Sequence, residues 1–199
     1  LGLLGEKTVL AHCVHLDETE IKLLADTKTT VVHNPVSNLK LGSGIAPIGR
    51  LSEAGVLITV GTDGAISGND LDIWMALRLS AILPKGSEKK PDLISAKDAL
   101  RMVTVNGAKA LGKEKLLGSI EIGKQADFSL IDINTVHATP MFDPITHLVY
   151  STNKSDVSDV FVGGIHLVKQ RKIVAYDIVK TLMKVKDMTP GIRRSLLKD

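Results

Sequence analysis

The chain has 199 residues, 44% of them hydrophobic, and carries 25 Lys and Arg against 22 Asp and Glu for a formal charge of +3. That length holds one sizeable core, or a core plus a small second domain, and the slight charge with no interleaving of basic and aromatic residues argues against nucleic acid as a partner. The lone Cys13 excludes an internal disulfide framework and fits a reducing, cytoplasmic setting, while neither a signal-peptide pattern nor an apolar run of about 20 residues is present to imply a membrane.

The opening Leu1-Gly2-Leu3-Leu4-Gly5 reads as the end of a helix running into a strand, which carries the expectation that the chain begins inside something larger. Thr8–His15 is a short apolar strand ending in two histidines, His12 and His15. Asp17-Glu18-Thr19-Glu20 opens a helix with acids in its first turn, where they favour the dipole. Thr29–Val32 is a second strand, stopped at His33-Asn34-Pro35 because proline cannot donate to a sheet ladder. A glycine-rich loop over 37–44 follows, then a helix beginning near Pro47 and closing at Gly55.

Val56-Leu57-Ile58-Thr59-Val60 is a β-branched apolar run of the kind buried on both faces. It ends abruptly at Gly61-Thr62-Asp63-Gly64, which delivers a carboxylate just past a buried strand. In barrels of alternating strands and helices that rim carries the reacting groups. Asp63 is therefore a candidate for chemistry, and a turn-capping aspartate is the alternative. Strand alternates with helix through this half, with short connections, as parallel strands with helical crossovers require. Each strand ends in polar groups: His12, then His33 and Asn34, then Asp63.

Asn69-Asp70 begins a long helix that Pro84-Lys85-Gly86-Ser87 is expected to break. Ser95, with Asp98 three residues on, caps a further helix running to about Gly112. From Gly118 the texture changes to short strands over 119–123, 126–132, 147–150 and 157–162. Gly163-Gly164 is a hairpin signal before a last strand at 165–168. The tail from Tyr176 is helical and basic, with Pro190-Gly191 as a break. These features divide the chain into 1–117, an α/β portion; 118–175, a mostly antiparallel β unit; and 176–199, a helical tail.

Several motifs recur in order: Ala11-His12-Cys13-Val14-His15, His33-Asn34-Pro35 through Ser37-Asn38-Leu39-Lys40-Leu41, Gly61-Thr62-Asp63-Gly64, Asn69-Asp70-Leu71-Asp72, Asn106-Gly107-Ala108, and Gly118–Asp127. Together they resemble the amidohydrolase superfamily, and within it the methylthioadenosine/S-adenosylhomocysteine deaminases, with the triazine chlorohydrolases as relatives. The resemblance implies the C-terminal part of a (β/α)8 TIM barrel, about strands six to eight, followed by part of a small β-sandwich. It also implies one divalent metal, zinc or iron. Asp63 matches the metal ligand at the end of the eighth strand, which also takes a proton from the attacking water. His12 matches the sixth-strand histidine that contacts that water or the developing tetrahedral centre; a strand-end histidine satisfied by hydrogen bonds is the alternative.

His15 and His33 are read as positioning their loops by hydrogen bonds. Ser37, Asn38 and Lys40 shape either the pocket wall or helix–loop packing. Cys13 is assigned to the core, and His137, His147 and His166 receive no chemical role. The family's first-strand His-x-His pair, and its fifth-strand His followed by a catalytic Glu, have no match in this chain. Three strands cannot close a barrel that takes about 250 residues, so exposed strand edges are expected. The missing N-terminal half, or self-association, would have to cover them. The activity implied is hydrolytic deamination of an aminopurine nucleoside, with chlorohydrolase or guanine-deaminase chemistry as the near alternative and a non-catalytic assembly module as the distant one.

Overall fold

The computed structural model describes residues 2–196; Leu1 and residues 197–199 lie outside the described residues. Residues up to Gln125, with Ile133–Asp156, form one compact unit; Ala126–Asp132 and the chain from Val157 onward form a second. The first unit is α/β, with parallel strands joined by helices, and the second is built on an antiparallel sheet.

In the first unit, β1 (Val9–Ala11), β2 (Thr30–His33) and β3 (Ile58–Val60) form a parallel sheet in the order β1-β2-β3. Helix α1 (Glu18–Asp26) crosses from β1 to β2, while α2 (Pro35–Lys40) and α3 (Ile48–Glu53) cross from β2 to β3. Local chemistry sets each start. Asp17 accepts from the Glu20 N–H and Glu20 reaches back to the Asp17 N–H, a reciprocal cap for α1. Pro35 stands at the first position of α2, where its missing N–H costs nothing. The segment expected as a glycine-rich loop is thus helical over its first half. Residues 2–5, expected to include a helix end, are irregular and pass through a turn into β1.

After β3 come α4 (Ala65–Gly68), α5 (Ile73–Glu88), α6 (Ala96–Met102), α7 (Val105–Ala110) and, later, α8 (Pro144–Tyr150). Pro84 does not break α5. It falls on the buried stripe Ala76, Leu77, Ser80, Ala81, Pro84, and helical spacing of that stripe keeps the segment packed through the proline. The helix expected from Ser95 to Gly112 is two, α6 and α7, with Ser95 capping the first. Residues 147–150 are helical rather than extended. Asp143 accepts from the Thr146 N–H and Pro144 takes the first helical position, so the Asp-Pro pair was the signal. Residues 119–123 form turns and not a strand.

The core joins Val31, Ile58 and Val60 of the sheet to Ile21, Leu24, Ile48, Leu51, Leu77, Ala99, Met102 and Val149. Val149 lies on α8, which explains why 133–156 belongs to this unit and why the boundary read at 118 differs from the observed division. Two side chains fasten later helices to the last strand: Thr59 Oγ1 donates to the Met102 carbonyl at 2.7 Å, and Asn106 Nδ2 to the Ile58 carbonyl at 2.8 Å.

The second unit pairs β4 (Phe128–Ile131), β5 (Val157–Val162), β6 (Ile165–Lys169) and β7 (Lys172–Ile173) in sequence order. Gly163 and Gly164, both at positive φ, turn β5 into β6. Phe128 stacks on Phe161, and Phe161 on His166, whose Nε2 lies 2.8 Å from Asp159 Oδ1; this is a packing role for that histidine. The last described element is α9 (Ile178–Leu196), continuous through Pro190-Gly191 and exposed along its length. Among the described residues no helix is long and apolar enough to cross a membrane.

His33 is 1% exposed, and neither ring nitrogen has a hydrogen-bond partner among the described residues. Among the described residues its ring therefore does not position the loop by hydrogen bonds. Burial disfavours the imidazolium and lowers its pKa from 6.5 to about 4. The folded state therefore binds fewer protons than the unfolded one between those values, so stability is full above pH 6.5 and falls as pH drops toward about 4. The lowering corresponds to about 3 kcal/mol. Urea denaturation at a series of pH values is expected to show this loss, and His33→Gln to flatten it; an unchanged slope in the variant would contradict the assignment.

Candidate active site

Parallel pairing places the carboxyl ends of all three strands together. Ala11 stands opposite Val32 and His33 opposite Val60, so His12, Asn34 and Gly61 continue the chain from one rim. The ladder carries on past the strands: the His12 N–H donates to Val32 O and the Gly61 N–H to His33 O, each at 2.9 Å.

Both sequence candidates stand on left-handed backbone, His12 at φ 68° and Asp63 at φ 61°, with Cys13 at 48°. For side-chain-bearing residues this region costs on the order of 1–2 kcal/mol each. Such strain persists where surrounding contacts over-determine it, and it gathers at functional sites. Here it turns the two side chains toward each other: His12 Nε2 lies 3.9 Å from Asp63 Oδ2, with the side chains 43% and 27% exposed.

Asp63 is held ionised. The Ser37 hydroxyl contributes most, then the Gly64 N–H, which donates to Oδ1 at 2.6 Å; the Ser67 hydroxyl and His12 add to them, and the carboxyl pKa falls below the usual range. His12 Nδ1 lies 2.7 Å from Asn38 Oδ1. Ser37 and Asn38 are adjacent on α2 and each about 1% exposed. Lys40, at the end of α2, donates to the Ile66 carbonyl at 2.8 Å and ties the helix to the segment after Asp63. Pocket wall or packing was the choice open for these three; the contacts show that two of them grip the site's side chains. Their buried polar atoms give no periodic signal in sequence.

The other candidates separate from this pair. His15 is exposed, and the buried His33 ring has no hydrogen-bond partner among the described residues. Burial raises the Cys13 thiol, which keeps it protonated and poorly suited to ligation or attack. His137 pairs with Asp156 at 2.9 Å and stacks beside His147, contacts that involve neither His12 nor Asp63.

Among the described residues no group of three or more His, Cys, Asp and Glu side chains is arranged to hold a metal. A catalytic zinc takes three protein ligands, and this rim offers one imidazole and one carboxylate. The residues present do not by themselves fit a metal centre. They offer a fixed carboxylate and a facing imidazole, a pair able to take and return a proton.

The sequence matches the Amidohydrolase family over residues 1–166, and the chain belongs to that family. Among individual proteins, it is 39% identical over 196 residues to the 5-methylthioadenosine/S-adenosylhomocysteine deaminase 1 of Syntrophus aciditrophicus, covering 98% of this chain and 44% of that protein. The zinc-bound crystal structure of an adenosine deaminase from Xanthomonas campestris superposes with a TM-score of 0.94 at 36% identity, over 97% of this chain and 44% of that one. The zinc complex of atrazine chlorohydrolase from Arthrobacter aurescens gives a TM-score of 0.86 at 28% identity, over 92% of this chain and 41% of that one. The chain thus spans less than half the length of the relatives it matches.

Gly61 sets the approach of β3 to the segment after β2. A Cβ there would stand 2.5 Å from Asn34 Oδ1 and 3.0 Å from Val32 Cγ1, both on buried or half-buried residues, whereas one at Gly64 would meet nothing within 4 Å. Gly61→Ala is expected to cost about 1–3 kcal/mol in urea denaturation, with Gly64→Ala nearly neutral. Equal effects of the two would show that this close approach does not matter.

Proposed function

We propose that this chain supplies part of the active site of a metal-dependent amidohydrolase that hydrolytically deaminates an aminopurine nucleoside of the methylthioadenosine or S-adenosylhomocysteine kind. One observation carries the reading: His12 Nε2 and Asp63 Oδ2 face each other at 3.9 Å on the rim of a parallel sheet, in a chain of this family. Asp63, kept ionised by Ser37 and Gly64, accepts the proton of the attacking water. His12 hydrogen-bonds the water or the tetrahedral centre. A zinc or iron ion, if bound, would lower the pKa of such a water, and Asp63 is the one ligand this chain would supply to it.

The three parallel strands are read as strands six to eight of a (β/α)8 barrel and the antiparallel unit as part of a β-sandwich. Support comes from the strand–helix alternation and from the superposition on the adenosine deaminase. The location proposed is cytoplasmic. Identity of 39% and 36% to two nucleoside deaminases, against 28% to the chlorohydrolase, favours deamination over dehalogenation. A non-catalytic assembly role is the second reading. It is favoured by the absence of a metal-holding cluster among the described residues.

Ammonia release from methylthioadenosine tests the choice. The 199-residue chain with added zinc is expected to give no turnover. A longer chain that includes the relatives' further length is expected to turn over, and Asp63→Asn within it to lose about 100-fold or more in kcat/KM. Turnover by the short chain would show its site to be complete, and an inactive longer chain would favour the assembly role.

A further inference from the structure

Asn38 is nearly inaccessible, yet only half of its amide is used: Oδ1 lies 2.7 Å from His12 Nδ1, and Nδ2 has no hydrogen-bond partner among the described residues. A buried amide with an unused N–H is a poor choice for packing alone, so the bond it does make is the reason to look for a role. An amide oxygen only accepts, so with Oδ1 turned to the ring this contact is a hydrogen bond when Nδ1 carries the proton. A neutral imidazole carries one proton, and its other nitrogen is then a bare acceptor. That nitrogen is Nε2, which faces Asp63 Oδ2 across 3.9 Å. Two acceptors at that spacing do not bond each other. They can both be satisfied by one molecule that donates O–H or N–H groups, such as a water or an amine.

We propose that Asn38 is a positioning residue whose Oδ1 fixes the proton of neutral His12 on Nδ1, so that the Nε2 lone pair and Asp63 Oδ2 together receive a hydrogen-bond donor. Neutral histidine in water prefers its proton on Nε2, so Asn38 reverses the intrinsic preference. With Nε2–H the same gap would hold a donor beside an acceptor, and a water would turn a lone pair toward the ring. Ser37 acts in parallel on the other partner, because adjacent residues of one short helix reach Asp63 and His12. The inference rests on reading these two side chains as one site, and adds which tautomer that site uses.

The test is a long-range ¹H–¹⁵N spectrum of the His12 ring in the metal-free chain, recorded well above the usual imidazole pKa of about 6.5. The wild-type ring is expected to show a protonated Nδ1 and a bare Nε2. Asn38→Leu, similar in size and without either amide group, is expected to return the proton largely to Nε2 while the urea midpoint is unchanged or raised. Asn38→Asp, which keeps an acceptor, should preserve the wild-type pattern. A wild-type ring protonated on Nε2 overturns the proposal whether or not the variants fold, and so does a folded Asn38→Leu chain that keeps Nδ1–H. In a longer, active chain Asn38→Leu is expected to lower kcat by about 10–100-fold, with KM less affected; an unchanged kcat would overturn it. The ring spectrum needs no turnover, so a chain that proves not to be a deaminase leaves the tautomer result standing.

Discussion

The middle strand of the parallel sheet has a neighbour on each side, and the segment that leaves it reaches both of them. Asn34 packs against Gly61, Ser37 holds Asp63, Asn38 holds His12, and Lys40 binds the Ile66 carbonyl. These contacts come from seven consecutive residues, most of them wound into one short helix. The geometry of the site depends on that helix starting immediately after β2, which Pro35 enforces by ending the ladder and occupying the first helical position. Delay the helix by a turn and neither side chain is gripped.

The same region concentrates the polar burial of the molecule. Thr29, Thr30, His33, Asn34, Ser37, Asn38 and Thr59 are all inaccessible or nearly so. Most find partners, but the His33 ring and the amino group of Asn38 have none among the described residues. Three left-handed residues, His12, Cys13 and Asp63, add backbone strain beside them. A sheet optimised only for stability would place apolar side chains at these positions. The apolar packing of α3, α5 and α6 against β3 carries that burden, with Ile48, Leu51, Leu77 and Ala99 fully buried behind the rim.

The opposite character appears elsewhere on the first unit. The sheet has three strands, and Val9 on β1 is 41% exposed, as are other large apolar residues such as Ile66 and Ile120 at higher values. Strand edges and apolar surface of this kind are usually covered. That agrees with a chain that spans less than half the length of its relatives and with a rim that offers two polar groups where a catalytic metal needs more.

What sequence alone determined was the strand–helix alternation of the parallel sheet and the strand ends at which His12 and Asp63 stand. β-branched runs, the acids and caps before α1 and α6, and the stops at Pro35 and Gly61 are local signals, and local backbone physics makes them legible. His12 and Asp63 could be singled out because each follows a short apolar strand. Where a local rule met a longer-range contact the reading failed. Pro84 stays helical because its ring lies on a buried stripe, and residues 147–150 are helical because Asp143 and Pro144 start them and Val149 reaches the core. Only the tertiary structure decided that Ser37 and Asn38 hold Asp63 and His12 and that the His33 ring is buried without a hydrogen-bond partner among the described residues. Those outcomes depend on which side chains from distant segments meet across the sheet, and no spacing within one segment encodes them.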